Sequence, residues 1–381
     1  MKSNYRYIVK AFMAMAVIAG TTSCDDFLDR EPMSSISPET YYSTAAQLEA
    51  NLNDEYPNVL PSFGQWTYGI FGEDKGTDNQ IEVNANDRYT QDRWKVPHSE
   101  SDNWKFERIY RINFFLSEAL PKFGEDMSGS QNTISGSVAT IKHYIGEMYF
   151  LRAYEYFKKL QLFGDFPIIN QPLADEMEAL REASKRFPRN EVARFIISDL
   201  DKAYAYMSDV DMATTRINKD AAMLVKSRVA LFEATWLQNF KGTAFVPGGE
   251  GWPGASLHNN YQYPSGNLDN EVKYFLEQAV EASKLVADKY KGNLTENTGV
   301  LQQSADDPSN PYFDMFAQED LSDVKEVLLW RQYARGLSTH NINAAAGRGN
   351  YRIGLTRGFV QNFLMKDGTP VYAHGSYADG D

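Results

Sequence analysis

The stretch IKHYIGEMYFLRAYEYFKKLQLFGDFP, residues 141–167, decides the fold class of this 381-residue chain. Apolar residues occupy nearly every face of the helix that it predicts, which is the pattern of a helix buried on all sides. Gly164 and Pro167 follow the last apolar turn, and both residue types are typical of helix ends. The stretch therefore predicts a central helix against which other helices pack.

The sequence on either side predicts a mainly α fold with long inserted loops. Ser37, Pro38 and Glu39 have the residue types of an N-cap, a first helical position and a first turn, and this helix is expected to reach Tyr56 and Pro57. Further helices are predicted over residues 101–123, 190–207, 220–240 and 270–290, with shorter ones at 312–316, 324–333 and 356–365. No series of alternating strands is evident, although residues 326–333 (EVLLWRQY) fit one short strand.

Four of these helices are predicted to form two antiparallel hairpins, 141–167 with 190–207 and 220–240 with 270–290. Gly146-x-x-Tyr149 fits the first helix of a tetratricopeptide repeat. Three positions on each second helix share one spacing: Ile196, Leu200 and Ala203 match Ala279, Ser283 and Val286. The two sets lie much further apart than one repeat, so we expect repeat-like hairpins separated by large insertions. Such hairpins form a scaffold that presents loops, where function is expected.

Composition narrows the possible partners. The formal net charge of −13 is unfavourable for binding nucleic acid or anionic lipid, so no nucleic-acid partner is expected. The chain contains 6 Trp and 23 Tyr, residues that combine an apolar ring with a polar group and therefore suit partly hydrated binding surfaces. The 22 Phe are expected to fill the core.

The N-terminus has the pattern of an export signal that ends in a cysteine. Residues 1–10 carry three basic residues and no acid, and residues 11–20 form an apolar run too short to span a bilayer. Small polar residues then lead to Cys24, the single cysteine of the chain. This order resembles a bacterial lipoprotein signal, with cleavage before Cys24 and acylation of it, although Thr21 stands where such signals usually have Leu. An ordinary free cysteine in a cleaved leader is the alternative.

This interpretation divides the chain into a signal peptide, residues 1–23, and one mature domain, residues 24–381. If Cys24 is acylated, the mature domain has no free thiol, so it forms no disulfide, cysteine metal site or thiol nucleophile. We expect the mature domain to be a soluble body that is tethered to a membrane by lipid.

Catalytic motifs are largely absent. The five histidines form no H-E-x-x-H pair, and neither G-x-S-x-G nor a P-loop occurs. A literal G-x-G-x-x-G at residues 249–254 contains Pro253 and lacks the strand and helix of a nucleotide site, so it is expected to shape a surface loop. Glu147 and Arg152, in the buried helix, are interpreted as structurally paired charges. No motif indicates an enzyme, a cofactor or a metal site, but a pair of catalytic carboxylates stays open because acidic residues are abundant.

Several segments, taken in their order along the chain, resemble the SusD/RagB family of surface nutrient-binding lipoproteins. The most specific is G-E-x-x-F-L-R-A-x-x-Y, which starts at Gly146 and is followed by F-G-D-x-P. The six segments are SCDDFLD (23–29), NWKFERIYRINFFL (103–116), IGEMYFLRAYEYFKKLQLFGDFPII (145–169), EVARFIISDLDKA (191–203), AAMLVKSRVALFEATW (221–236) and NFLMKDGTPV (362–371).

The resemblance implies a helical scaffold of tetratricopeptide-like units, a lipid anchor in the outer membrane and surface exposure. It implies a TonB-dependent, SusC-like transporter as partner, and capture of oligosaccharides without cleavage. The acids after Cys24 are similar to the export tags of surface lipoproteins. Peptide capture on the same scaffold and a secreted α-helical glycosidase are the alternatives. Family members usually continue well past the DGTP segment, so the resemblance also implies that this chain lacks a C-terminal part.

The family's binding region is similar to two loops of this chain, residues 64–98 and 241–268. Aromatic rings there can stack on the apolar face of a sugar, and Asp, Asn and Arg can bind its hydroxyl groups. The predicted ligand residues are Trp66, Tyr68, Asp78, Asn79, Arg88 and Trp94 in the first loop and Trp252, Tyr261 and Tyr263 in the second. For each residue, local loop packing is the alternative.

Overall fold

The computed structural model describes residues 41–64, 69–82, 103–124, 126–207, 212–301, 304, 306–336, 338–340 and 353–375. Cys24 and the first-loop residues Trp66, Tyr68, Arg88 and Trp94 lie outside these ranges. None of the helices in the described ranges is long and apolar enough to cross a membrane.

The described part of the chain is mainly α-helical, as predicted. Its helices are α1 (Ala45–Val59), α2 (Glu107–Phe123), α3 (Val138–Phe163), α4 (Met177–Ala183), α5 (Arg189–Tyr206), α6 (Lys219–Asn239), α7 (Leu268–Tyr290), α8 (Pro311–Met315) and α9 (Arg357–Gln361). Two short strands, β1 (Gln80–Glu82) and β2 (Ile353–Leu355), form an antiparallel ladder with Ile81 opposite Gly354.

The central helix is α3, which packs against α1, α2 and α5. Its residues are buried almost without interruption from Ile141 to Leu160, as the uniform apolar pattern predicts. The Ser137 hydroxyl caps its N-terminus by accepting the Thr140 N–H, and Gly164 ends it at a φ of 68° that favours glycine. The apolar pattern therefore identified the core helix, which begins three residues earlier than predicted.

The predicted hairpins are confirmed: α3 packs on α5, and α6 packs on α7. Gly146 allows the first pair to approach closely, because a Cβ atom there would lie 2.7 Å from Met207 Cγ and 3.0 Å from the Ala203 carbonyl oxygen. Ile196, Leu200 and Ala203 are fully buried on the facing helix. The two hairpins form one stack, because α5 of the first hairpin contacts α6 of the second.

Buried charges tie the stack together. The Arg152 guanidinium donates to both carboxylate oxygens of Asp199, at 2.6 and 2.8 Å, and also to Asn113 Oδ1 and the Asn170 carbonyl. Glu147 accepts hydrogen bonds from Arg216 at 2.7 and 2.9 Å and from the Tyr56 hydroxyl at 2.7 Å. Both charges of the buried helix are therefore paired, as interpreted from the sequence.

Four helix predictions were wrong in part or in whole, among them residues 356–365, of which only Arg357–Gln361 is helical. Residues 41–44 are not helical, because the helix begins at Ala45 behind Thr44, whose hydroxyl accepts the Gln47 N–H in a capping box. Residues 103–106 are also outside α2. The rings of Trp104 and Phe106 pack there on Phe166, with centroids 4.9 and 5.2 Å apart, so tertiary packing overrides helical continuation. Residues 324–333 form neither a helix nor a strand.

Candidate functional site

The second predicted ligand loop, residues 241–267, joins α6 to α7 and packs inward. Trp252 is only 5% exposed. Its indole N–H donates to Asp165 Oδ2 at 2.7 Å, and the backbone of Gly254 lies close against its ring. Burial raises the pKa of Asp165 above its ordinary value, although the Trp252 and Arg189 N–H donors oppose this shift. In this conformation Trp252 offers little ring surface to a ligand, and its stacking role stays a prediction.

The other aromatic residues of this loop surround Trp252, and together Trp252, His258, Tyr261 and Tyr263 form what we call the loop cluster. The Tyr261 ring centroid lies 5.6 Å from that of Trp252 and 5.1 Å from that of Tyr263. The Tyr261 hydroxyl exchanges hydrogen bonds with the Asn190 side chain at 2.8 and 3.1 Å, and the Tyr263 hydroxyl donates to the Pro247 carbonyl. The polar groups of both predicted ligand tyrosines are thus used within the fold.

A buried carboxylate fixes the end of this loop. Glu271 is fully buried and accepts hydrogen bonds from Arg194 at 2.7 and 2.9 Å, from Asn190 at 3.1 Å and from the Ser265 N–H at 3.1 Å. Burial alone would raise its pKa, but these donors favour the ionised form and hold the pKa below the ordinary value of 4.5. The loop is therefore anchored to α5 by charge as well as by ring packing.

Two predicted residues of the first loop lie beside β1. Asp78 is exposed, and its carbonyl accepts a hydrogen bond from the Thr356 hydroxyl. The Asn79 carbonyl accepts the Thr356 N–H at 2.9 Å. Among the described residues, no hydrogen bond, ion pair or ring contact joins either position to Trp252, Tyr261 or Tyr263. The described structure thus gives no direct link between the two predicted ligand loops.

A cleft with a volume of about 940 Å³ lies elsewhere in the described part of the chain. We call it the α1–α6 cleft, because the C-terminal half of α1 and the N-terminal half of α6 form two of its walls. Phe150 and Tyr154 of α3 also line the cleft, and residues 326–332 line its remaining side. Pro61, where the first predicted ligand loop leaves α1, also lines it.

The crossing segment, residues 326–333, is held by two distant parts of the chain. The Trp330 backbone N–H donates to the Thr214 carbonyl, and its indole N–H donates to the Thr214 hydroxyl at 2.8 Å. Asn218 donates to the Leu328 carbonyl at 2.6 Å, and the Arg331 guanidinium donates to the Ser62 hydroxyl. These bonds to other segments explain why EVLLWRQY forms neither helix nor strand.

Aromatic side chains line the α1–α6 cleft with part of their surface exposed. Trp330 is half-buried and has no aromatic ring contact among the described residues. Tyr154 is half-buried, stacks on Phe150 at a centroid distance of 6.1 Å, and has no described hydrogen-bond partner for its hydroxyl. The hydroxyl of Tyr56, by contrast, donates to Glu147, and burial together with that carboxylate raises its pKa well above 10.

Two arginines give the cleft unpaired positive charge. Arg228 is exposed and has neither a hydrogen bond nor an ion pair among the described residues. Arg331 donates to Ser62 and lies 5.6 Å from the Tyr333 ring centroid, and no described carboxylate pairs with it. Glu326 is the one acid among the described lining residues, and one of its oxygens accepts the Thr295 N–H at 3.0 Å.

The cleft combines the chemistry that recognises sugars: partly exposed rings for an apolar face, and side-chain donors for hydroxyl groups. Sequence reasoning missed Tyr154, Arg228, Trp330 and Arg331. The one available signal was the Trp-Arg pair at 330–331 in a segment without clear periodicity. Among the described residues, no group of three or more His, Cys, Asp or Glu side chains is arranged to hold a metal ion.

Comparison with known proteins shows which family this helical scaffold matches. Residues 26–231, more than half of the chain, match the SusD-like family model described as starch-binding and associating with the outer membrane. Two relatives from Formosa agariphila, SusD-like proteins P25 and P2, are each 25% identical to this chain. The P25 match covers 56% of this chain and 41% of the relative, and the P2 match covers 63% and 46%. The chain thus spans less than half the length of these curated relatives.

A solved structure shares the fold. A SusD-like carbohydrate-binding protein from Bacteroides fragilis matches 90% of this chain and 56% of its own length, with a TM-score of 0.54 and 14% identity. The family resemblance seen in the sequence is therefore confirmed by the family model and, for the fold, by this structure. On this evidence, the chain belongs to the SusD/RagB family.

Proposed function

We propose that this chain is a cell-surface lipoprotein that binds oligosaccharides and delivers them, uncleaved, to a TonB-dependent, SusC-like transporter. The observation that carries the proposal is the match of residues 26–231 to a family described as starch-binding and associating with the outer membrane. The α1–α6 cleft supports it, since its partly exposed rings and unpaired donors suit a sugar ligand.

In the proposed complex, sugar rings stack on Trp330 and Tyr154, and Gln332 and Asn53 bind hydroxyl groups. Covering one ring face removes on the order of 100 Å² of apolar surface, which contributes roughly 2 kcal/mol per aromatic residue. The loss of ligand freedom offsets much of this gain, so we expect a Kd of about micromolar to millimolar. A weakly held ligand is easily released to a transporter.

The predicted loop residues belong to the same proposal. Trp66, Tyr68, Asp78, Asn79, Arg88 and Trp94 follow Pro61, which lines the cleft, and are proposed to extend the binding surface from there. A ligand role for Trp252, Tyr261 and Tyr263 would require the loop cluster to exchange its internal contacts for contacts with sugar.

Binding without cleavage is supported by the acids near the cleft. Glycoside hydrolysis usually requires two carboxyl groups flanking the scissile bond. Glu326 is the one carboxylate among the described lining residues, and Glu147, behind Tyr56, is held by Arg216 and the Tyr56 hydroxyl. The described cleft therefore offers no available pair of carboxylates.

Isothermal calorimetry against a panel of neutral and acidic oligosaccharides tests the binding, and chromatography of the incubated sugars tests for cleavage. We expect at least one saturable interaction and no new reducing ends. Absence of binding to every oligosaccharide, or release of shorter products, would contradict the proposal. Copurification from detergent extracts should recover a TonB-dependent transporter, and its absence would contradict delivery.

The proposed anchor is Cys24, the single cysteine, placed directly after a short apolar run. Two or three acyl chains bind a bilayer firmly, because each buried CH₂ contributes roughly 0.8 kcal/mol. Cys24→Ala should move the protein from the membrane fraction to the soluble fraction without changing its circular dichroism spectrum. Full retention of this variant in membranes would exclude Cys24 as the anchor.

A further inference from the structure

The positive charge of the α1–α6 cleft contrasts with the acidity of the whole chain, whose formal net charge is −13. Three arginines at charge pairs of the fold are neutralised: Arg152 pairs with Asp199, Arg189 with Glu233, and Arg216 with Glu147. Arg228 and Arg331 line the cleft and have no carboxylate partner among the described residues. An acidic protein has many carboxylates available for pairing, so two unpaired arginines on one cleft point to a ligand that supplies the anions.

The guanidinium group narrows the ligand chemistry. It presents a planar set of N–H donors that matches the oxygens of a carboxylate or a sulfate in a two-bond arrangement. A neutral sugar needs hydroxyl partners, which Gln332, Asn53 and Tyr154 already offer at the same cleft. Arg228 and Arg331 therefore add a capacity that neutral sugar binding does not require.

Among the described residues that line the α1–α6 cleft, Glu326 is the one whose negative charge opposes the positive charge of Arg228 and Arg331. Its carboxylate accepts the Thr295 N–H, and its side chain also lines a neighbouring apolar pocket between α6 and α7. At physiological ionic strength, exposed charges more than about 8 Å apart are largely screened. Most of the negative charge of the chain is therefore screened from an anionic ligand in the cleft, while direct arginine contacts persist there.

We propose that the α1–α6 cleft selects glycans carrying carboxylate or sulfate groups, and that Arg228 and Arg331 are the residues that recognise these anions. This inference rests on the proposed glycan-binding function. Arg228 lies on α6 and Arg331 on the crossing segment, so the two arginines contact the cleft from different walls. An anionic glycan with charged groups on successive sugars could engage both while its rings contact Trp330 and Tyr154.

The test uses matched pairs of probes in calorimetry: oligogalacturonate and its methyl ester, and sulfated and unsulfated laminarin oligosaccharides. We expect the acidic member of at least one pair to bind at least about tenfold more tightly, with affinity falling as NaCl rises from 50 to about 500 mM. Arg228→Gln and Arg331→Gln should each remove most of that preference. Arg181→Gln, which changes an exposed arginine on α4 outside the cleft, is the matched control and should preserve it.

Binding of only neutral probes would overturn the inference and leave the proposed function standing. A preference for acidic probes that survives in the double variant of Arg228 and Arg331 would also overturn it, because the anions would then be recognised elsewhere. Failure of every probe to bind would instead contradict the proposed function. Circular dichroism melting of each variant separates loss of binding from loss of folding.

Discussion

The loop cluster and the crossing segment both place tryptophan and tyrosine near the ends of helices, but they use these residues differently. In the loop cluster, Trp252 donates to Asp165 and Tyr261 exchanges hydrogen bonds with Asn190, so rings and polar groups are both engaged inside the fold. In the crossing segment, Trp330 is fixed by one backbone and one side-chain hydrogen bond to Thr214 and borders a cleft of about 940 Å³. Aromatic content alone does not distinguish a packed loop from a binding surface.

The difference lies in which groups still lack partners. A buried polar group must be paired, and the loop cluster satisfies this requirement almost entirely within the fold. The cleft presents a Tyr154 hydroxyl and an Arg228 guanidinium without described partners. Unused hydrogen-bonding capacity next to exposed rings is therefore the better indicator of a ligand site.

The strongest test of this contrast is Trp252→Ala. Removing a buried tryptophan leaves a cavity and deprives Asp165 of its indole donor, so the free energy of unfolding should fall by about 3–5 kcal/mol. A purely structural role for Trp252 leaves the ligand affinity of the folded fraction unchanged, whereas the predicted stacking role lowers it. Urea denaturation and calorimetry measure the two effects, and Trp252→Phe is the milder control. Lost affinity in a stably folded Trp252→Ala protein would make the loop cluster part of the ligand site.

A second test concerns the carboxylate that anchors the loop cluster. Because the folded protein holds the pKa of Glu271 below 4.5, ionised Glu271 stabilises the fold above that pH, and the contribution is lost as pH falls through its folded-state pKa. Glu271→Gln should reduce the free energy of unfolding by about 1.5–3 kcal/mol at pH 7, and this difference should shrink on acidification.

The matched control is Glu277→Gln, an exposed change on the same helix, which should have little effect at either pH. Urea denaturation at pH 7 and at pH 4 measures both variants. A difference between wild type and Glu271→Gln that stays constant across this range would mean that the charge of Glu271 does not anchor the loop.

The smallest expected effect in free energy is the most informative about function. Trp330→Ala should weaken binding of the best oligosaccharide at least about tenfold, which corresponds to ~1.4 kcal/mol, because it removes one stacking surface. Its stability should decrease less than that of Trp252→Ala, since Trp330 is only half-buried. Trp330→Phe retains an aromatic ring and should recover much of the affinity. Unchanged affinity in Trp330→Ala would move the site away from the cleft.

The sequence predicts the stack of helices well, because α3 has apolar residues on every face and its partners have regular apolar spacing. The errors occur where tertiary contacts decide. Residues 103–106 leave the helical pattern because Trp104 packs on Phe166, and residues 326–333 are irregular because Thr214 and Asn218 bind their backbone. Neither partner is near in sequence, so local periodicity could not predict these endings.

The candidate site was much harder to predict. The acceptor that takes the Trp252 indole N–H lies 87 residues away, so its burial is invisible in a Gly-rich loop sequence. In the sequence, Arg228 is an ordinary exposed position of α6. It lines a cleft only because a segment about 100 residues later packs opposite it. The charge pairs of α3, by contrast, were predictable because a uniformly buried helix requires them.

The crossing segment has a consequence for how the protein matures. Its bonds from Arg331 to Ser62 and from Tyr333 to Phe63 close loops of 269 and 270 residues, whereas the hairpins join elements that are much nearer in sequence. Since contacts between distant residues generally form more slowly than local ones, we expect the helices to assemble first and the cleft to close last. The chain would then be compact before the cleft exists, and a completed cleft would report that folding is complete.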